Sequence, residues 1–474
     1  MSGARLESAG VPDLRQLAHE GTVHFMGIGG AGMSALAELV LRSGGRVSGC
    51  DSVLGESVGT LRELGVELHA GHDPAHVDGA AAVVLTSAVP LDHPELAAAR
   101  ARGVPVLKRA QALGAIVNRG TVVAVAGTHG KTTTTSLCTT ILAHAGLDPT
   151  ALLGGRIAEW RGGLRLGSER LFVVEADEYD RSFFTLAPTA VVLTSIEADH
   201  LDIYGDLAGV ESAFQQFLHA VPDDGLVVAC HDDAGAHRVA SSVDRPVLWY
   251  GTGAGAELRA ESVSYAGTRS RFDVRRGREL LGSVELAAPG EHNVRNALGA
   301  IGVALFLGAD FAAARAALAA FSGVARRFQR LGVARGVEFI DDYAHHPTEI
   351  SATLHAARGA HPDRRLVAVF QPHLYSRTRD LATEFGAALT AADVVYLTGI
   401  YAAREQPLPN VTGDLLVRAA RAAGARDVRY HETLPELEQA LANELAEGDV
   451  CIAMGAGDID AAARRVLHRL GGAA

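Results

Sequence analysis

The stretch Val122-Val-Ala-Val-Ala-Gly-Thr-His-Gly-Lys-Thr-Thr133 joins an apolar run directly to a loop rich in glycine and threonine. Residues 122–126 predict a buried strand, and residues 134–146 predict a helix that ends near Gly146. A strand, a glycine loop and a helix in this order direct backbone N–H groups and a helix N-terminus at a polyphosphate. The stretch therefore predicts an α/β fold that binds ATP.

The loop residues have separable roles in this interpretation. Lys131 is placed to reach the outer phosphates, and the Thr132 hydroxyl is placed to ligate Mg²⁺. Lys131 is one of two lysines in the chain, the other being Lys108, which indicates that a compact charge is needed in the loop. The usual pattern has a glycine where Val125 stands, so the alternative is a glycine-rich turn with a chance lysine. The predicted ATP-binding residues here are Gly127, Thr128, His129, Gly130, Lys131, Thr132 and Thr133.

Composition excludes several classes of protein. A length of 474 residues suggests about three domains, and 48% hydrophobic residues suffice for full cores. A net charge of −12 argues against a nucleic-acid partner. The four cysteines occur singly, as in a reduced, cytoplasmic protein. There is no signal-peptide pattern, and the longest apolar helical segment, 297–309, is too short to cross a membrane.

Alternating strand and helix patterns divide the chain into three blocks. We predict a first α/β domain over 1–118, a central P-loop domain over 119–325 and a second Rossmann-like domain over 326–474. Residues 1–18 have weak periodicity and are expected to be loosely docked. Alternating residues between 257 and 288 predict an antiparallel addition to the central sheet, followed by a helix from about Asn293.

A second glycine loop follows the first strand of the chain. Residues 27–32 fit G-x-G-x-x-G, and Asp51 ends the next strand at the spacing of a ribose-binding acid. The pattern predicts a diphosphate ligand, either NAD(P) or a nucleotide sugar, and the alternative is a tight turn that needs glycine for packing. The residues concerned are Gly27, Gly29, Gly30, Gly32 and Asp51.

Glu175 and His200 are the predicted metal ligands of the central block. Each follows an apolar strand, so both are expected at the carboxyl edge of the sheet beside the phosphate loop. A carboxylate and an imidazole can hold a divalent cation there. A capped turn or a salt bridge is the alternative. For the neighbouring acids, among them Asp177 and Glu178, a solvated or structural role is expected.

Two polar segments of the third block, 341–350 and 370–380, also follow apolar strands. Adjacent His345 and His346 beside acids are compatible with a metal site, although a metal usually needs further ligands at fixed spacing. Arginine instead suits a carboxylate, which it binds through two parallel N–H donors. His373 and Arg377 are therefore candidates for binding an acidic substrate.

The motifs together resemble the Mur ligase family of peptidoglycan synthesis. They run in the family's order from about residue 22 to the GAGDID segment and comprise GIGGAGMSALAE, GTHGKTTTT, EADEYD, EADHLD, HNVRNALGA, RRFQ, DDYAHHPTEI and FQPHLYSRT. The family's own phosphate loop reads G-T-x-G-K-T, which accounts for Val125. The resemblance implies three domains that bind a UDP-sugar, ATP with Mg²⁺, and an amino acid.

Residue roles follow from the resemblance by position. It implies that Lys131 and Thr132 serve phosphate and metal, and that Glu175 and His200 hold a second magnesium ion. It places Asn293 and Asn296 beside the adenine, Arg327 on the nucleotide after closure, and Asp341 or Asp342 on the ribose. It assigns Tyr343, His345, His373 and Arg377 to the amino-acid site, with His345 and Arg377 counted as catalytic.

The implied reaction is ADP-forming ligation of L-alanine to the lactyl carboxylate of UDP-N-acetylmuramate, by a cytoplasmic monomer or weak homodimer. The alanine-adding branch fits the absence of any lysine after Lys131, because later-acting members carry a carbamylated one. Leu374 replaces an arginine of some members, so contacts to the alanine carboxylate are expected to be fewer. The alternatives are a recycling ligase that adds a tripeptide, an NAD(P) dehydrogenase, and a P-loop binding module.

Overall fold

The computed structural model describes residues 12–403 and 405–472, and its strands form three sheets in chain order. The three sheets confirm the predicted three-domain α/β fold. The chain also forms two compact units. One runs to Glu261 and includes Asp273–Val284 and Arg295–Phe321, and the other comprises Ser262–Phe272, Glu285–Val294 and the chain from Ser322.

The first sheet is entirely parallel, with strand order β3-β2-β1-β4-β5. Its strands are β1 (Thr22–Met26), β2 (Arg46–Asp51), β3 (Glu67–Ala70), β4 (Ala80–Leu85) and β5 (Val106–Lys108). Its helices are α1 (Leu14–Glu20), α2 (Ala31–Arg42), α3 (Gly59–Glu63), α4 (Pro94–Ala101) and α5 (Arg109–Val117). This is the predicted Rossmann-like arrangement, in which the loop after β1 lies where strand order reverses.

The chain before β1 differs from the prediction. Residues 1–11 lie outside the described residues. Residues 14–20 form α1, and the Asp13 carboxylate accepts the backbone N–H groups of Arg15 and Gln16 at its start. Leu14 is fully buried. The expectation of loose docking was therefore wrong for residues 14–18, because a cap and one buried leucine hold this short helix in place.

The central sheet has the strand order β15-β14-β13-β12-β11-β10-β6-β9-β7-β8, in which the phosphate-loop strand β6 lies between β10 and β9. Its strands are β6 (Thr121–Ala126), β7 (Pro149–Ile157), β8 (Gly162–Arg165), β9 (Ser168–Ala176), β10 (Ala190–Leu193), β11 (Leu226–Cys230), β12 (Val247–Gly251), β13 (Leu258–Ala266), β14 (Arg269–Arg276) and β15 (Glu279–Leu286). Its helices are α6 (Lys131–His144), α7 (Leu201–Tyr204), α8 (Leu207–Leu218), α9 (Ala234–Ser241), α10 (Glu291–Phe306) and α11 (Phe311–Ala319). Strands β9, β6, β10 and β11 are mutually parallel, so their carboxyl ends share one edge.

The third sheet has the order β16-β17-β21-β18-β19-β20 and is parallel except for β16. Its strands are β16 (Gln329–Ala334), β17 (Val337–Asp342), β18 (Leu366–Phe370), β19 (Val394–Thr398), β20 (Val428–His431) and β21 (Val450–Met454). Its helices are α12 (Pro347–Ala360), α13 (Tyr375–Asp380), α14 (Ala382–Leu389), α15 (Asp414–Ala422), α16 (Leu434–Glu444) and α17 (Ile459–Arg469).

Successive strand residues in this sheet alternate between two cores, with Phe339 in one and Ile340 in the other. Helices therefore cover both faces, as the apolar runs predict. In the described part of the chain, no helix has both the length and the apolar character needed to cross a membrane.

Candidate active site

The phosphate loop between β6 and α6 has a backbone shape that only glycine tolerates at two positions. Gly127 and Gly130 have φ of +132° and +82°. A Cβ on Gly127 would lie 2.1 Å from Thr194 Oγ1, and one on Gly130 would lie 2.7 Å from Asn296 Oδ1. The loop therefore packs closely on its neighbours, and a side chain at either position would not fit.

Hydrogen bonds tie the loop to the segment that follows β10. The Thr128 N–H donates to the Ser195 carbonyl at 2.8 Å, and the His129 N–H donates to Ser195 Oγ at 3.1 Å. In return, the Glu197 N–H donates to Thr128 Oγ1 at 3.0 Å. Since this segment leads to His200, the loop and the predicted metal ligand are held in one network.

Lys131 lies in the first turn of α6 with its ammonium turned back into the loop. Its Nζ donates to the Gly127 carbonyl at 2.7 Å and to the Glu178 carboxylate oxygens at 2.8 and 2.9 Å. Burial alone would lower the pKa of Lys131, but the carboxylates of Glu178, Asp177 and Glu175 raise it overall. The lysine is therefore a fixed positive charge, and Glu178, 3% exposed, is its structural partner rather than a solvated acid.

Glu175 and His200 both lie at the carboxyl edge that carries the phosphate loop, as predicted. Glu175 pairs in register with Val125 of β6, and its Oε1 accepts the Gly154 N–H at 2.8 Å. His200 precedes α7 with φ of +54°, and its Nε2 lies 3.9 Å from Glu178 Oε1. Glu178 thus lies between the lysine and the histidine, and a metal shared by Glu175 and His200 stays a prediction.

The donor groups at this edge fit Mg²⁺. Thr132 is buried in the first turn of α6. Together with Glu175 and His200 at the same edge, it would offer donor groups to a cation. The carboxylates of Glu178, Asp177 and Glu175 all lie near Lys131 and raise its pKa. Oxygen donors with excess negative charge suit a hard divalent cation.

The first glycine loop is held by the predicted acid. The Gly29 N–H donates to Asp51 Oδ2 at 2.8 Å, and Asp51 Oδ1 accepts the Val53 N–H at 3.1 Å. Gly27 has φ of +81°, and Gly30 precedes the first turn of α2. Asp51 therefore stabilises the loop through these hydrogen bonds, and its contact with a ribose stays a prediction.

A cavity of about 250 Å³ lies beside the first glycine loop. Its lining includes Gly30 and Gly32 of that loop and Glu175 and Asp177 of the central block. Arg109, at the start of α5, also lines the cavity, and its Nη2 lies 3.5 Å from Asp177 Oδ2. Arg109 was not among the residues predicted from the sequence, although its position directly after strand β5 could have indicated a binding residue.

The amino-acid residues predicted in the third block do come together. The rings of His345 and His373 have centroids 5.9 Å apart, and Arg377 Nη1 lies 3.4 Å from His373 Nδ1. His345 also packs edge-on against Tyr343 at 5.4 Å. Burial lowers the pKa of His345, partly opposed by Glu349. A neutral imidazole and a guanidinium thus share one site.

Arg327 and the two aspartates lie beside this cluster. The Arg327 guanidinium is 5.3 Å from the Tyr343 ring centroid. Asp342 accepts the N–H groups of Phe328 and Ala344 at 2.7 and 2.8 Å. Asp341 is fully buried, and neither of its oxygens has a hydrogen-bond partner among the described residues. Burial raises the pKa of Asp341 to about 7 and that of Asp342 to about 6.

The two asparagines of α10 lie in different surroundings. Asn296 lies beside Gly130, at the phosphate end of the predicted ATP site. The Asn293 side-chain amide donates to the Pro289 carbonyl at 2.7 Å. Their predicted contacts with adenine stay predictions.

Three family descriptions match successive parts of the chain. They are "Mur ligase family, catalytic domain" over residues 22–121, "Mur ligase middle domain" over 125–304 and "Mur ligase, glutamate ligase domain" over 326–457. Each matched segment corresponds to one of the three sheets.

Relatives and solved structures that match most of this chain lead to the same family. The UDP-N-acetylmuramate–L-alanine ligase of Bordetella pertussis is 48% identical over 92% of this chain and 96% of its own. The UDP-N-acetylmuramate–alanine ligase structure from Thermotoga maritima superposes with a TM-score of 0.81 at 31% identity, over 95% of this chain and 99% of that one. A murein peptide ligase from Psychrobacter arcticus gives 0.71 at 26% identity, over 95% and 99%.

Proposed function

The chain belongs to the Mur ligase family, and from that premise we propose that it joins L-alanine to the lactyl carboxylate of UDP-N-acetylmuramate, with conversion of ATP to ADP. The observation that carries this proposal is the cavity whose lining combines Gly30 and Gly32 of the first glycine loop with Glu175 of the phosphate-loop sheet. A sugar nucleotide on that loop would present its lactyl carboxylate beside this sheet. A dehydrogenase would leave Glu175 and the phosphate loop without a role.

The proposal gives each block one ligand. Residues 1–118 bind the UDP-sugar, residues 119–325 bind ATP, and residues 326–474 bind the amino acid. Gly27, Gly29, Gly30, Gly32 and Asp51 form the sugar-nucleotide loop in this assignment. Arg109 joins them, because its guanidinium lines the same cavity.

The first chemical step brings two anions together. The lactyl carboxylate attacks the γ-phosphorus of ATP, ADP leaves, and an acyl phosphate forms. Each pair of unit charges repels by about 4 kcal/mol at 4 Å and an effective dielectric near 20. Lys131 and Arg109 offset this repulsion with fixed positive charge. Thr132, Glu175 and His200 would hold Mg²⁺, which neutralises phosphate charge when bound.

The second step needs a neutral amine and an oriented amino acid. Arg377 binds the alanine carboxylate, and neutral His345 accepts a proton from the ammonium group. The amine then attacks the acyl carbon, and the tetrahedral oxyanion collapses to the amide as inorganic phosphate leaves with the second proton of the amine. The lowered pKa of His345 supports this role, because an imidazolium could not accept the proton.

The test is a product assay with ATP and UDP-N-acetylmuramate against a panel of amines that includes L-alanine and the tripeptide of the recycling reaction. We expect ADP release that depends on both the sugar nucleotide and alanine, with the alanine adduct identified by mass. Faster turnover with the tripeptide would assign the recycling activity instead. ADP release without either substrate would indicate a P-loop module that only hydrolyses ATP.

A further inference from the structure

A cluster of metal-ligating side chains lies in the first sheet, away from the phosphate loop. The ligand atoms of His24, Cys50, His76 and Glu95 all lie within 4.8 Å of one another. They come from β1, β2, the segment after β3 and the first turn of α4. His24, Cys50 and Glu95 are fully buried. Four chain segments thus converge on one enclosed point.

The separations match those around a small tetrahedral ion. Cys50 Sγ lies 3.4 Å from both His24 Nε2 and Glu95 Oε1. Metal–ligand bonds of about 2.0–2.3 Å in a tetrahedron separate the ligand atoms by roughly 3.3–3.8 Å. His76 Nδ1 and Glu95 Oε1 are closer, at 2.7 Å, and would need to part by less than about 1 Å.

Neighbouring polar groups orient these side chains as they do in metal sites. His24 Nδ1 is hydrogen-bonded to Ser48 Oγ at 3.0 Å, which leaves Nε2 directed at Cys50. Glu95 Oε2 is hydrogen-bonded to His72 Nδ1 at 2.9 Å. Such outer contacts set the tautomer of a ligating histidine and the orientation of a ligating carboxylate.

We propose that His24, Cys50, His76 and Glu95 form a binding site for a borderline-soft divalent cation, with Zn²⁺ as the occupant. One thiolate, two imidazoles and one carboxylate are ligands that Zn²⁺ accepts, whereas the oxygen donors near Lys131 suit Mg²⁺. Four protein ligands leave no open position, so the site is structural. It plays no part in the ligase reaction proposed above.

The site would stiffen the first glycine loop. The Cys50 carbonyl accepts the N–H groups of Gly27 and Ile28 at 2.8 and 3.1 Å. A cation that fixes Cys50 therefore fixes the start of the loop through the backbone. The competing account is a metal-free cluster, in which His72 and His76 only form hydrogen bonds to Glu95.

The metal content of the purified full-length protein is the first test. After removal of loosely bound ions, we expect about one zinc per chain by inductively coupled plasma mass spectrometry. Cys50→Ser should lose most of it, and Cys230→Ser, which changes another buried cysteine, should keep it. Equal zinc in the two variants, or none in the wild type, would overturn the proposal.

Cobalt substitution keeps the test decisive even if Cys50→Ser fails to fold. Chelator-treated wild-type protein titrated with Co²⁺ should develop a thiolate-to-cobalt charge-transfer band together with intense tetrahedral d–d bands. Zn²⁺ should then displace Co²⁺ and bleach both. The Cys230→Ser protein should behave as wild type. A titration without a thiolate band would establish the metal-free cluster.

Discussion

The ammonium of Lys131 and the carboxylate of Glu178 form a buried ion pair, with Nζ 2.8 Å from Oε2 and the two side chains 15% and 4% exposed. A polyphosphate bound to the loop would compete with Glu178 for this lysine. Release of the lysine would leave Glu178, 3.9 Å from His200 Nε2, able to face a cation. The ion pair would therefore couple the proposed phosphate and metal positions.

Lys131→Ala should abolish ligation and leave the affinity for UDP-N-acetylmuramate nearly unchanged, because the sugar nucleotide is assigned to a different loop. Removal of one partner of a buried pair costs about 3–5 kcal/mol of stability, so sugar-nucleotide binding by calorimetry also verifies the fold. Lys108→Ala is the matched control, since its side chain is 52% exposed and pairs with Asp180. Normal turnover in folded Lys131→Ala protein would remove the ATP assignment.

Glu175→Gln and His200→Ala should each raise the Mg²⁺ concentration for half-maximal velocity and lower kcat by about 100-fold, in line with the loss of a metal ligand. Initial rates across a Mg²⁺ titration measure both effects. Asp202→Asn changes a neighbouring exposed acid and should have little effect. A variant with the wild-type Mg²⁺ dependence would exclude that residue as a ligand.

The pH dependence of ligation should report His345. Its pKa is lowered mainly by burial, so the ring gains its proton, and ceases to be a base, only below the usual range of histidine. We expect kcat to fall as pH drops through that lowered pKa and to be flat above it. His345→Gln should lower kcat by about 100-fold or more and lose this limb of the profile. Exposed His355→Gln is the control, and an unchanged limb in His345→Gln would assign the base to another group.

Asp341 should make the protein less stable as pH rises. Its folded pKa of about 7 lies above the value of 3.8 expected when unfolded, so the folded state binds more protons between these values and stability falls with rising pH. The raised pKa lowers the folding stability by at most about 4 kcal/mol near pH 8, and by less than half of that near pH 5, and Asp341→Asn should remove this loss. Thermal melts at both pH values measure it. An equal change in melting temperature at the two would show that Asp341 does not titrate in this window.

Arg377→Ala should raise KM for alanine far more than KM for ATP or the sugar nucleotide, because the guanidinium is assigned to the alanine carboxylate. Glycine lacks one methyl group, a loss of about 1–3 kcal/mol or roughly 10- to 200-fold. Alaninamide lacks the carboxylate and should be the poorer substrate. Values of kcat/KM for the three amines test this order, and equal use of alanine and alaninamide would refute the assignment of Arg377.

The strands and loops near the ligands were predictable because they depend on short-range patterns. Buried parallel strands are apolar runs, and polar residues that end them must lie at the same edge. Gly127 to Thr133, Glu175 and His200 were located in this way. Strands β7 and β8 were missed, since glycines interrupt their apolar pattern.

Contacts between distant segments were not predictable. Glu175 and Glu178 are three residues apart, and nothing in that spacing tells which one meets Lys131. Arg109 became a candidate only when α5 was placed beside the cavity. The cluster around Glu95 depends on four segments that the sequence separates by up to 71 residues, from His24 to Glu95.

The difference in exposure between the two lysines has a practical consequence for labelling the protein. Lys108 is half exposed, whereas Lys131 is enclosed and hydrogen-bonded. Of the two lysines, an amine-reactive fluorophore will therefore modify Lys108 in preference to Lys131 and spare the phosphate loop. The arginine-rich composition thus leaves a single accessible lysine side chain for labelling the enzyme.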